Sequence, residues 1–385
     1  MTISAPFALE TARRIVVKTG SALIATDGAP RTDWLAGLAS DIAILRGRGL
    51  EVLLVTSGAI ALGRDALGPD RPRKLEDKQA AAAFGQTVLM RTLEAAFAPH
   101  DIRVAQSLLT LDDTEMRRRW LNARATLDTI LAAGGLPVVN ENDTVATDEI
   151  RYGDNDRLAA RVAQMVSADT LVLLSDVDGL YAADPRLDPG AEHVPMVREI
   201  TARHDAMAGD TNSDAGVGSG GMATKLAAAR IAFAAGCRTV ITRGDRDHPL
   251  LALEQRDGSS SGARATWFVP PLSPQTARLA WLESHLSPEG VLTVDAGAAR
   301  ALVEKGASLL PVGVTGVAGQ FERGAAVEVQ GPDGIAIAKG VTAYASSDVA
   351  DIAGLKSDAV ADKLGWRGRP AIIHRDDLVI LGAAE

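Results

Sequence analysis

The sequence predicts an α/β protein, with a mostly parallel open sheet sandwiched by helices and then a small, mainly-β barrel at the C-terminal end. Three observations carry this. Short apolar runs alternate with alanine- and leucine-rich helical segments from residue 13 to residue 242, the order that builds parallel sheets. Polar clusters stand at the ends of those runs. After Gln255 the texture changes to β-runs punctuated by glycine and proline, with one helix among them.

Length and composition bound the answer. A chain of 385 residues favours two domains, placed here at 1–269 and 289–385 with a connector at 270–288. Hydrophobic residues at 46% and charged residues at 23% describe a soluble globular chain with ample core. No apolar run approaches the ~18 residues of a membrane span, and no signal peptide opens the chain. A cytoplasmic protein is therefore expected, with no membrane partner. Cys237 stands alone, so it cannot form an internal disulfide, and its setting suits a small buried residue. The six histidines show no metal-ligand spacing. A net charge of −9 weighs against a nucleic-acid protein.

The elements follow in order. Arg13 to Lys18 reads as a buried strand ending in a lysine beside Gly20, where open α/β sheets bind ligands. Leu35, Leu38, Ile42 and Leu45 recur at helical spacing, with Thr32 or Asp33 as cap and Gly49 as stop. Val52–Val55 is a second strand running into Thr56-Ser57-Gly58-Ala59, where Ser57 either binds substrate or caps the next helix. A helix from Lys78 to Phe97, a third strand at Ile102–Ala105 and a helix from Arg118 to Ala132 come next. The fourth strand, Leu136–Val139, ends in the dense polar cluster Asn140-Glu141-Asn142-Asp143. Asp154-Asn155-Asp156 precedes a helix from Leu158 to Met165; one cap would suffice, and the surplus carboxylate and amide can hold an amino-acid ligand, a metal-bound phosphate or a lysine. Leu171–Leu174 is the fifth strand, ending in Ser175-Asp176.

The stretch from Gly216 to Lys225 is the most informative. Four glycines let a backbone approach a ligand closely, and the residues after Met222 are strong helix formers. The free N–H groups at such a helix start favour phosphate, while Lys225 in its first turn opposes the dipole and needs a negative partner. A Walker loop is excluded because Leu226 follows the lysine. A dinucleotide fingerprint is excluded because polar loop, not a buried strand, precedes the glycines. A strand at Thr239–Thr242 and an edge strand at Thr266–Val269 close this part, and Thr276–His285 is a helical piece leading onward. The C-terminal unit has β-runs at Val291–Val294, Ala326–Val329, Ile335–Ala338 and Ala371–Ile373, and a helix from Ala298 to Lys305.

Five separated motifs, Val17-Lys18-Thr19-Gly20-Ser21, Thr56 to Ala59, Asn140 to Asp143, Gly153 to Asp156 and Gly220 to Lys225, together resemble the amino acid kinase superfamily, in its branch acting on glutamate. The C-terminal unit resembles a PUA domain. Departures are small: the family usually reads Lys-Leu-Gly-Thr-Ser where this chain has Lys18-Thr19-Gly20-Ser21, and Thr-Gly-Gly-Met where it has Ser219-Gly220-Gly221-Met222. The resemblance implies transfer of the ATP γ-phosphoryl group to the side-chain carboxylate of L-glutamate, the entry to proline synthesis. It also implies Mg²⁺ carried on the nucleotide's phosphates, feedback inhibition by proline, and a homo-oligomer. Carried over by motif, Lys18 and Lys225 flank the transferring phosphoryl and Asp156 positions them. Ser57, Asp143, Asn155 and Asn140 bind the amino acid. Ser175, Asp176, Ser219, Gly220, Gly221, Met222, Ala223 and Thr224, with both lysines, bind ATP. Aspartate, acetylglutamate and UMP kinases are the alternatives within the fold. RNA binding is the alternative outside it, but from Glu289 onward nine Lys and Arg face thirteen Asp and Glu, where an RNA-binding domain should be basic.

Overall fold

A computed structural model describes residues 9–68, 74–146, 154–209, 221–254, 263–285, 287–366 and 368–381. The chain divides into two units, Met1–Pro274 and Gln275–Glu385. In the first, the main elements are β1 (Arg14–Thr19), α1 (Thr32–Gly47), β2 (Glu51–Val55), α2 (Ala59–Gly63), α3 (Leu75–Phe97), β3 (Val104–Leu109) and α4 (Arg117–Ala132). They continue as β4 (Leu136–Glu141), α5 (Asp154–Met165), β5 (Thr170–Ser175), β6 (Met196–Val197), α6 (Met222–Ala234), β7 (Arg238–Arg243) and β8 (Ala265–Phe268).

The eight strands form one sheet in the order β6-β8-β7-β5-β1-β2-β4-β3. Every pairing is parallel except β7 with β8. Near-continuous apolar runs fit this, because both faces are covered. Ile15, Val17, Val52 and Leu54 pack with Leu35 and Leu38 of α1 and Leu89 of α3. Val16, Leu53, Val55 and Leu171 pack with Leu158 of α5 and Leu226 of α6 on the other face. Strand period therefore aims Lys18 at the α5–α6 face and Thr19 at the α1–α3 face.

Two expectations in this unit shift. The third strand lies at Val104–Leu109 rather than Ile102–Ala105, because it forms one edge of the sheet and includes the exposed Gln106 and the half-covered Ser107. The strand expected at the edge, Thr266–Val269, runs over Ala265–Phe268 and is second from the edge, since Met196 and Val197 pair outside it.

The second unit begins at the second residue of α7 (Pro274–His285) and continues with β9 (Gly290–Val294), α8 (Ala296–Lys305), β10 (Val314–Ala318), β11 (Ala326–Gln330), β12 (Ala336–Val341), α9 (Ser346–Ile352), α10 (Ser357–Leu364) and β13 (Leu378–Ile380). The strands order as β10-β9-β11-β12-β13 around a core that includes Leu292, Val327, Tyr344 and Ile372. The pairings among the described residues run from edge to edge rather than closing a ring. Ala371–Ile373 is not a strand; Ile373 makes a single bridge to Leu309. Helix α7 is tied into this unit by Arg278, which donates to the Asp376 carbonyl and pairs with Asp377. Among the described residues no helix is long and apolar enough to cross a membrane.

Candidate active site

The carboxyl edge of the sheet gathers the predicted lysines. Lys18 is the penultimate residue of β1, and Lys225 lies in the first turn of α6; both are buried, at 6% and 4% exposed. Asp156, in the first turn of α5, has no exposed surface and receives both. Lys18 Nζ lies 2.5 Å from its Oδ1, and Lys225 Nζ donates to its Oδ2 at 3.3 Å. Asp156 is thus the negative partner that a lysine at a helix start requires, rather than a cap for its own helix. The Thr224 hydroxyl adds a contact to Asp156 Oδ2 at 3.4 Å and is 2.8 Å from the Gly221 carbonyl. Burial alone would raise the Asp156 pKa, but the two ammonium groups outweigh it and hold the carboxyl below the ordinary aspartate value.

That depression fixes a pH dependence. The ion-paired carboxylate contributes its full stability above the ordinary value of 3.8 and loses it as pH falls through the lower folded-state value. Asp156→Asn takes the shared negative charge from two buried ammonium groups and is expected to destabilise the unit by about 3–5 kcal/mol at neutral pH. It should also remove this part of the acid-side slope in urea denaturation. Equal stability of variant and parent at pH 7 would take the carboxylate out of this role.

Beside this cluster, Asn155 Nδ2 donates to Ser57 Oγ at 2.9 Å. Asn155 Oδ1 is buried and has no hydrogen-bond partner among the described residues, a polar atom at the start of α5 that a ligand can satisfy. Ser57 stands in the turn after β2, where Gly58 adopts φ +98 to start α2. Ser175 ends β5, the neighbour of β1, and Asp176 follows it; Ser175 Oγ donates to Asp176 Oδ1 at 2.9 Å, and the Ser175 carbonyl accepts from Gly244 N at 2.8 Å. Gly221 is the residue before α6 and brings no side-chain cap, so Met222 and Ala223 present backbone at an uncapped helix start. Ser219 and Gly220 lie outside the described residues.

The other two predicted amino-acid ligands lie at and after the end of β4, whose parallel register with β2 sets Val139 opposite Val55 and so brings Asn140 level with Thr56, the residue before Ser57. Asn140, at the end of β4, donates through Nδ2 to Gln86 Oε1 of α3 at 2.9 Å and accepts from Glu141 N. Asp143 lines a cavity of about 450 Å³ between α3 and β3, with Gln86, Arg91, Glu94, Gln106 and Asn142 among its walls. Gln86 is absent from the sequence reading. Its one signal is an amide interrupting an alanine-rich helix. Among the described residues no group of three or more His, Cys, Asp or Glu side chains gathers in a metal-binding arrangement.

Comparison with known proteins decides the family. The amino acid kinase family matches residues 13–243, and the PUA domain matches residues 290–364. The chain belongs to the amino acid kinase family. It is 56% identical to a glutamate 5-kinase of Paramagnetospirillum magneticum over 376 residues, covering 97% of this chain and 99% of that one. It is likewise 56% identical to a glutamate 5-kinase of Caulobacter vibrioides over 383 residues, covering 99% of this chain and all of the relative. A third, from Paracoccus denitrificans, is 53% identical over 373 residues, or 97% and 98% of the two chains. The family match ends at the last residue of β7 and so spans the elements that carry Lys18, Ser57, Asp156 and Lys225.

Proposed function

We propose that this protein transfers the γ-phosphoryl group of ATP to the side-chain carboxylate of L-glutamate, giving L-glutamyl 5-phosphate, the first step of proline synthesis. The observation that carries the reading is the pair of buried lysines held on one buried aspartate beside Ser57 and Asn155. Near-full-length identity to proteins named glutamate 5-kinases supports the choice of substrate.

The residues suit the chemistry. A glutamate side chain has a pKa near ~4.3, so the nucleophile is already ionised at neutral pH and needs no general base. The obstacle is the approach of one anion to another, worth about 4 kcal/mol for unit charges ~4 Å apart at an effective dielectric of ~20. Lys18 and Lys225 offset that repulsion and stabilise charge spreading over the transferring group. Asp156 orients both ammonium groups before substrate arrives. Ser57 and Asn155 hold the acceptor carboxylate, and the uncapped start of α6 faces the donor's phosphates. ATP when bound supplies the phosphoryl group, with Mg²⁺ carried on its phosphates. In this reading residues 1–269 are the catalytic domain, joined through 270–288 to a PUA domain at 289–385. Proline acts as feedback inhibitor, and the chain assembles as a cytoplasmic homo-oligomer.

A coupled ADP-release assay with L-glutamate, run with a hydroxylamine trap, tests the proposal. Glutamate-dependent ADP release with formation of γ-glutamyl hydroxamate is expected. ADP release with UMP or aspartate and no hydroxamate from glutamate would reject it.

A further inference from the structure

Lys18, which meets the donor, and Ser57, which meets the acceptor, are joined by a closed circuit of side chains. Lys18 pairs with Asp156, and the neighbouring Asn155 donates to Ser57 Oγ. The circuit returns on the other face of the sheet. The Thr56 hydroxyl donates to the Ser57 carbonyl at 3.1 Å, and the Thr19 hydroxyl donates to Thr56 Oγ1 at 3.2 Å. Thr19 then follows Lys18 in the chain.

Both threonines have no exposed surface. Their pairing follows from the parallel register of β1 and β2, in which Lys18 stands opposite Val55 and the next positions are Thr19 and Thr56. Two buried hydroxyls at the ends of adjacent strands satisfy each other and fix the carbonyl of the following turn. A Val–Val pair would fill the same space equally well and give the Ser57 peptide no donor. We infer that Thr19 and Thr56 are positioning residues, whose hydroxyl chain sets the orientation of the Ser57 turn relative to Lys18 and hence the distance between acceptor carboxylate and donor phosphate.

This inference rests on the glutamate kinase reading, and the test separates the two. If wild-type protein makes no γ-glutamyl hydroxamate, that reading has failed; the inference is judged on protein that makes it. The variant to use is Thr19→Val with Thr56→Val. Removing both partners leaves no orphaned hydroxyl, and the replacements are β-branched and close in shape, so folding and Tm should hold. Misplacing a reacting group by a fraction of an ångström to 1 Å costs up to about 100-fold in rate, so kcat/KM for glutamate should fall about 10- to 100-fold while KM for ATP is unchanged. Thr56→Ser, which keeps the hydroxyl, should rescue the loss seen in Thr56→Val. Wild-type kinetics in the double valine variant would overturn the inference. So would a parallel rise of both KM values that tracks a lowered Tm, since that is the signature of a packing role alone.

Discussion

Lys225→Ala is expected to lower kcat by about 10²–10³-fold, the loss seen when one preorganised donor to developing charge is removed. Lys18→Ala should match it. The expectation follows from where the two ammonium groups sit: both are almost fully buried, so water cannot replace either at full effect. Either variant keeps one lysine on Asp156, so the carboxylate retains an ion pair and the fold should persist. Lys225→Arg should not restore activity, because a planar guanidinium does not fit a buried site shaped for a compact ammonium. Single-turnover measurement of phosphoryl transfer at saturating ATP and glutamate is the check. Near-normal turnover in a folded alanine variant would reject the catalytic role for that lysine.

Much of this site is legible in the sequence because strand ends and helix starts announce themselves. Lys18 follows an apolar run of the right length, and Asp156 is one carboxylate too many for a helix cap. Lys225 sits where the dipole would expel a cation unless something opposes it. Each signal is local, and the sheet order brings the three together because β5, β1 and β2 are adjacent and all parallel. What the sequence does not show is how α3 enters. Asn140 and Asp143 belong to one polar run, and the sequence treats them alike. In the structure Asn140 turns to Gln86, which together with Asp143 lines the cavity between α3 and β3. Alanine-rich helices carry little information about which face meets what. The edge strand β3 and the short helices α9 and α10 were obscured for a related reason: half-covered or seven- to eight-residue elements offer too few periods to read.

The glycines of α2 and α3 lead to the second large effect. Gly85→Ala is expected to destabilise the first unit by about 2–3 kcal/mol, even though alanine is the better helix former by roughly 1 kcal/mol. A Cβ at Gly85 would stand 1.7 Å from the Ala59 carbonyl oxygen, and one at Gly63 would stand 1.9 Å from the Ala81 carbonyl oxygen. These neighbours are backbone, so no side chain can swing aside, and α2 must move off α3. That displacement travels one short step to function. Helix α2 begins directly after Ser57 and Gly58, so shifting it pulls Ser57 from Asn155 and should raise KM for glutamate more than KM for ATP. Gly47→Ala is the control. It lies at the end of α1 with no atom within 4 Å of the added methyl, and should leave stability unchanged or slightly higher. Urea denaturation of the two variants alongside the parent decides the matter: equal midpoints for Gly85→Ala and Gly47→Ala would mean that α2 and α3 tolerate separation and that their close crossing does not hold the Ser57 turn.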